Sequence, residues 1–267
     1  VNVMTELPPP PELARSIPDE PRWVDLRGLL LSGRCAVYAG EDPEAGLIAR
    51  SWDFPFAAMA GKPPAATIRR VVEDAIKADD FKAGNSTSSG EWHLLIPASS
   101  VKEVGEALPG WRWRGVTIHR FDRDLPAAAP SAPDGAEIRL APQGAAAENL
   151  KLAHLPQALR DELSIEYVAT RPMAAAFVAG RPVAFCYAPY VTEALWDVAV
   201  DTVEPFRRRG LAAACFEALA WHMGRDGRRP VWGALDGNVA SMRMAQRMGF
   251  RSDIKLVSFI RPVSQSS

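Results

Sequence analysis

The sequence predicts a mixed α/β fold in which a central sheet is flanked by helices, and three observations carry that prediction. The run from Ala194 to Val203 alternates in polarity and holds β-branched residues, as a strand does. Leu211 to Met223 is rich in Ala and Leu, as a helix is, and Gly210 stands at the joint between them. A matching succession of helix, strand, helix and strand occurs in the first half of the chain.

The elements follow in order. Pro8 to Pro11 and Pro18 to Pro21 stiffen the start of the chain, so 1–21 is expected to be a poorly packing Pro-rich tail. Ala66 to Ala78 suits a helix, Glu91 to Ala98 a strand, Val101 to Leu108 a helix, and Trp111 to Phe121 a strand entered through Pro109-Gly110. Gly84 to Gly90 is a polar loop. From Asp124 to Gly135, Pro, Ala and Gly replace any periodic pattern, which marks a linker. It separates an N-terminal α/β domain at 22–123 from a second domain at 136–263.

In the second domain a strand is expected at Glu137 to Leu140, with helical material between Gln143 and Leu155 and near Ala158 to Ser164. Strands follow at Ala174 to Val178 and Pro182 to Tyr187, joined by Ala179-Gly180-Arg181. After the helix ending at Met223, Gly224 and Gly227 break the chain and Pro230 to Leu235 forms a short buried strand. Asn238 then caps a helix to Met248, Gly249-Phe250 stops it, and Arg251 to Ile260 is the last strand. The order from Leu211 onward repeats that from Ala66 to Phe121, which suggests a degenerate internal repeat.

The first turn of a helix holds backbone N–H groups without intrahelical acceptors, and the positive end of its dipole favours an anion there. Gly210 and Ala212 leave that approach open. The stretch Arg207-Arg208-Arg209-Gly210-Leu211-Ala212 therefore suits a pyrophosphate. Its counterpart in the first half, around Gly61-Lys62-Pro63-Pro64, has lost two amides to proline, and no Walker pattern surrounds Lys62.

Arg207, Gly210 and Ala212 match the Arg/Gln-x-x-Gly-x-Gly/Ala signature of the GNAT superfamily of N-acetyltransferases, which the chain resembles from Glu137 to Ile260. Asn238 to Phe250 resembles the second signature of that family, an Asn at a helix start with Gly-Phe closing the same helix. The resemblance implies a GNAT acyltransferase fold in tandem with a degenerate GNAT-like N-terminal domain, and acetyl-CoA as acyl-donor cosubstrate. In that fold the fourth and fifth strands diverge and the pantetheine arm fills the gap. By position, Arg207, Arg208, Arg209, Gly210, Leu211 and Ala212 would hold the pyrophosphate, Thr202 and Val203 would contact pantetheine, and Asn238 with Ser241 would line the arm.

Direct acyl transfer needs an amine freed of its proton, a polarised carbonyl and a protonated leaving thiolate. Glu193, Asp197 and Asp201 are the acidic residues on or beside the fourth strand, and alternation puts Asp197 and Asp201 on one face. Asp197 is the favoured base, with Glu193 as a second carboxylate. Many family members place a Tyr seven residues after the Asn, where this chain has Ala245. Ser241, Tyr187, Tyr190 or solvent would then supply the proton, or the thiolate leaves unassisted.

Composition narrows the classes. The 267 residues hold 31 basic and 32 acidic side chains, a formal charge of −1, so no global field draws nucleic acid or an anionic membrane. His93, His119, His154 and His222 lack metal-ligand spacing, and Cys35, Cys186 and Cys215 give no disulfide framework. No metal is expected. Without a long apolar run or a signal-like start, a soluble cytoplasmic protein is expected, a monomer or homodimer acting on a small-molecule amine. The alternative is a non-catalytic acyl-CoA-binding or regulatory module.

Overall fold

The structure, a computed structural model, describes residues 2–4, 11–39, 45–77, 91–133, 135–141 and 152–262. It is a mixed α/β fold whose chain divides into two compact units. The first comprises 1–119, 233–243 and 252–267, and the second 120–232 and 244–251. The loop expected at Gly84 to Gly90 and most of the helix expected between Gln143 and Leu155 lie outside the described residues.

The chain opens with β1 (Asn2–Met4), α1 (Pro11–Ser16) and α2 (Val24–Ser32), followed by β2 (Cys35–Ala39), β3 (Gly46–Ser51), β4 (Phe56–Gly61), α3 (Ala65–Lys77), β5 (Glu91–Pro97), α4 (Val101–Ala107) and β6 (Arg112–Phe121). Next come β7 (Ala136–Ala141), α5 (Gln157–Ser164), α6 (Glu166–Ala169), β8 (Met173–Val178), β9 (Arg181–Tyr187), β10 (Leu195–Asp197) and β11 (Ala199–Thr202). The chain continues through α7 (Leu211–Gly224), β12 (Arg229–Leu235), α8 (Val239–Met248) and β13 (Phe250–Pro262).

The expected Pro-rich tail needs a correction: its residues 11–16 form α1, and Ala14 and Ile17 are buried. The cause is Arg27, itself buried, whose guanidinium donates to the carbonyl oxygens of Ala14 and Ile17 and so ties the segment down. Pro11 is tolerated because a proline at a helix start forfeits no intrahelical bond.

In the first unit the strands run β1-β2-β3-β4-β5-β13. Neighbours are antiparallel except β4 and β5, which are parallel with Phe56 opposite His93 and are bridged by α3. Alternate residues of β5, Trp92, Leu94 and Ile96, point to one face and join Ile68, Val71 and Ala75 of α3 and Val104 of α4 in the core. Trp111 meets Trp92 edge to face, with ring centroids 5.7 Å apart.

The second unit holds the antiparallel sheet β7-β8-β9-β11. Ala179 at φ 49° and Gly180 at φ 73° turn β8 into β9, the left-handed pair a two-residue hairpin requires. α7 packs on β8 and β9 through small side chains on both sides, Ala174 and Ala176 from the sheet and Ala214, Ala218 and Cys215 from the helix. Phe121, Phe216, Trp232 and Phe250 cluster with centroid distances of 5.1–5.7 Å. Gly249, at φ 97°, ends α8 and delivers Phe250 into that cluster, and a Cβ there would meet Arg123.

The run expected as one strand from Ala194 to Val203 is broken at Val198. β10 pairs in parallel with β12, Asp197 facing Val231, whereas β11 pairs antiparallel with β9 in a different sheet.

Candidate active site

The break at Val198 creates an opening. Val198 donates its N–H to Val231 at 2.9 Å, after which the chain leaves β12 and continues as β11, the edge strand of its sheet. Val203 donates to Val183 at 2.9 Å, which fixes the phase of the ladder with β9. In an antiparallel pair the bonding direction alternates, so Ala199, Asp201 and Val203 turn their backbone groups to β9, and Val200 and Thr202 turn theirs to the open edge. Of the two residues expected to contact pantetheine, Thr202 thus has its N–H on that edge. Val203 has its N–H in the ladder. Thr202's carbonyl oxygen accepts from Arg207 Nε at 3.2 Å, leaving the Val200 amide and carbonyl and the Thr202 N–H as the edge groups a ligand strand would meet.

The loop from β11 to α7 is tightly wound. A 3-10 turn, Glu204–Phe206, is followed by Arg208 at φ 62° and Gly210 at φ 76°. Two left-handed residues this close turn successive amides to one side, an arrangement that makes an anion-binding concavity. Gly210 offers no capping side chain, and Ala214 closes the first intrahelical bond onto the Gly210 carbonyl at 3.0 Å. The amides of Leu211, Ala212 and Ala213 precede that bond, so the helix gives them no acceptor. Arg207, Arg208 and Arg209 are exposed, and the Arg209 guanidinium lies 5.5 Å from the Phe206 ring centroid. Positive charge, a helix dipole and unpaired N–H groups therefore share one turn of chain.

The face of β9 and β11 opposite α7 carries the acid–base groups. Tyr187 donates its hydroxyl to Glu162 Oε1 at 2.5 Å, so α5 is tied to β9. Asp201 stands opposite Phe185, two residues from Tyr187 on the same side of the ladder. Burial and then the Glu162 charge push the Asp201 carboxyl up to about 6, against the pull of Arg207. Burial raises Glu162 as well, the Tyr187 hydrogen bond opposing it. Tyr187 is held well above its ordinary value by burial and by its acidic neighbours, and stays a phenol.

The other expected residues are placed as follows. Asp197 is half-buried, donates its N–H to Tyr190 at 2.8 Å and lies close enough to Cys186 to help burial raise that thiol. It stands in a different sheet from Asp201, so the single face expected for the two carboxylates is not formed. Glu193 is exposed in a turn closed by Thr192, whose Oγ1 accepts from Leu195 N–H at 2.8 Å. Asn238 caps α8, its Oδ1 accepting from the Ser241 N–H at 3.1 Å. Asn238 and Ser241 fall in the segment 233–243, which groups with the first unit, whereas Thr202 to Ala212 belong to the second. Ala245 has 0% exposure.

Sequence reasoning missed Glu162 and Val200. Glu162 sits in a short helix without a motif, and Val200 is an apolar residue whose role would lie in its backbone. Only the partner of Val203 tells which way the Val200 amide points.

Cys35 and Cys215 are each pushed by burial up to about 12, so neither offers a thiolate near neutral pH. Among the described residues no group of three or more His, Cys, Asp or Glu is arranged for a metal ion, and no helix is long and apolar enough to cross a membrane.

A strand broken at a parallel neighbour, an uncapped glycine-led helix and an exposed arginine loop stand together in the second unit. Residues 174–259 match the family model of the GNAT acetyltransferase. Among solved structures, it is similar to a GCN5-related N-acetyltransferase-like protein from Streptococcus suis 89/1591, at 17% identity over 93% of this chain and 98% of that one, with a TM-score of 0.64. A GCN5-related N-acetyltransferase from Kribbella flavida is similar at 18% identity, covering 94% and 96%, with a TM-score of 0.56. A tandem GNAT protein from the clavulanic acid biosynthesis pathway is similar at 14% identity, covering 91% and 89%, with a TM-score of 0.55. At these identities the likeness shows a shared fold. No curated protein matches the sequence.

Proposed function

We propose that the protein is an acetyl-CoA-dependent N-acyltransferase that passes the acyl group directly to the primary amine of a small molecule or amino acid. The observation that carries this reading is the turn from Arg208 to Ala212, where two left-handed residues and an uncapped helix start leave amides ready for a diphosphate. Arg207, Arg208 and Arg209 add charge at its rim. The Val200 and Thr202 edge takes the pantetheine amides as an added strand would, and Asn238 and Ser241 are assigned to the arm by the family resemblance. The amine attacks the thioester carbonyl, an amide N–H of the open edge polarises it, and the thiolate leaves. A carboxylate of this strand region, from Glu193, Asp197 or Asp201, takes the amine proton.

The chain is read as two domains, an N-terminal one at 22–123 and a transferase domain at 136–263 joined by 124–135. Each unit has an antiparallel meander leading to a parallel pair bridged by a helix, β4 to β5 through α3 and β10 to β12 through α7. That parallel supports a degenerate tandem repeat. Pro63 and Pro64 stand where the first copy would need amides, so coenzyme A is assigned to the second copy alone.

Ala245 favours a second reading, a non-catalytic acyl-CoA-binding or regulatory module, because the position where many relatives carry a Tyr is apolar and buried. Calorimetry with acetyl-CoA tests what the two readings share, and thiol release over an amine panel separates them. Absence of uptake at millimolar acetyl-CoA by folded protein overturns both.

A further inference from the structure

We propose, resting on that reading, that Asp201 rather than Asp197 removes the acceptor's proton, and that Glu162, fixed by the Tyr187 hydroxyl, is the positioning residue that keeps Asp201 fit for it. β11 is the edge strand whose alternate backbone groups, at Val200 and Thr202, are open to an extended thioester ligand, and Asp201 lies between those two residues. A carboxylate borne on the docking strand itself is within side-chain reach of a carbonyl bound there. Asp197 belongs to β10, still paired with β12, and precedes the opening.

Asp201 is also set apart by its neighbours. Among the described residues, Glu162 from α5 and Arg207 from the following loop act on Asp201, and Asp201 together with Glu162 and Cys186 acts on Tyr187 of β9. Glu162 cannot swing away, because Tyr187, 1% exposed, holds its Oε1. Arg207 is restrained by the Thr202 carbonyl. The result is a carboxyl near 6, ionised at neutral pH yet basic enough to hold a proton briefly.

The proton balance is simple. The acceptor arrives as an ammonium and gives one proton to Asp201. The neutral amine forms the new C–N bond, and the C–S bond breaks to release the thiolate. The nitrogen's second proton ends on the thiolate as the free thiol, and Asp201 returns its proton to water.

The test measures kcat/KM for thiol release against pH with acetyl-CoA and the fastest amine from a panel of spermidine, tyramine and lysine. Acetyl-CoA binding is measured alongside by calorimetry, and the Asp201 carboxyl is titrated by NMR in aspartate-labelled protein. The wild type should show an acid limb and a carboxyl titration both near 6. Asp201→Asn should lose about 100-fold in kcat/KM while binding acetyl-CoA normally. Glu162→Gln should move both the acid limb and the NMR titration to lower pH together. The proposal is overturned if Asp201→Asn, folded and binding acetyl-CoA, keeps its turnover and acid limb, or if Glu162→Gln leaves the Asp201 titration in place. A wild type that binds no acetyl-CoA overturns the transferase reading instead.

Discussion

Val198 donates its backbone N–H to the carbonyl oxygen of Val231 at 2.9 Å, the rung beyond which the chain leaves β12 and continues as β11. Before it, Asp197 is opposite Val231 in one sheet. After it, Asp201 is opposite Phe185 in another. One hydrogen bond thus separates the paired part of the strand from the part with an open edge.

Gly210→Glu should weaken acetyl-CoA binding by at least about 100-fold, because a side chain at φ 76° is strained and a carboxylate opposes the diphosphate. Calorimetry checks it. Unchanged affinity would remove the phosphate site from this turn.

Val200→Pro removes an amide that β9 does not use, and proline is tolerated on an edge strand. Acetyl-CoA affinity should fall about 3- to 10-fold, with a smaller loss of Tm than Asp201→Pro, which deletes a ladder bond. Equal losses of Tm would mean that the ladder phase is misassigned.

The pH dependence of stability has a definite sign. Asp201 has a folded value near 6 against an ordinary 3.8, so the native state holds its proton more tightly than the unfolded chain does. Its contribution is fully present below about 4 and is lost as pH rises through about 6. Asp201→Asn should therefore stabilise the protein by up to about 3 kcal/mol at pH 7.5 and make little difference at pH 4. Thermal melts at the two pH values decide it, and a variant less stable at pH 7.5 refutes it.

Ala245→Tyr should fail to restore a thiolate acid. With 0% exposure there is no room for the ring, and a loss of about 1–3 kcal/mol is expected from overpacking. A stable variant with faster thiol release would show that the position faces the cofactor.

Phe250→Ala should cost about 3–5 kcal/mol, since Phe250 contacts Phe121, Phe216 and Trp232 in one cluster. Urea unfolding would report it as a lower midpoint with an unchanged slope.

Much of the fold was legible because it is written in local signals. The helix at α7 follows from its Ala and Leu content, the β8–β9 turn from Ala179-Gly180, and the end of α8 from Gly249 before Phe250. α1 was not legible, because its prolines suggest an unpacked tail and the group that anchors it, Arg27, is elsewhere in the chain. The candidate site divides in the same way. Gly210 and its arginines announce themselves in sequence, as does Asn238 as a cap. The break at Val198 does not, since Val198 is as strand-like as its neighbours and parts the strand only because of what it pairs with on either side.

What the sequence determined by itself is the succession of elements and the turn at Gly210, since propensity, periodicity and left-handed turns act between residues near in the chain. What only the tertiary structure decided is which backbone groups of β11 are open and which carboxylate stands beside Glu162 and Tyr187. Ladder phase and electrostatic environment depend on partners brought together across space, and the residues concerned carry no local mark of them.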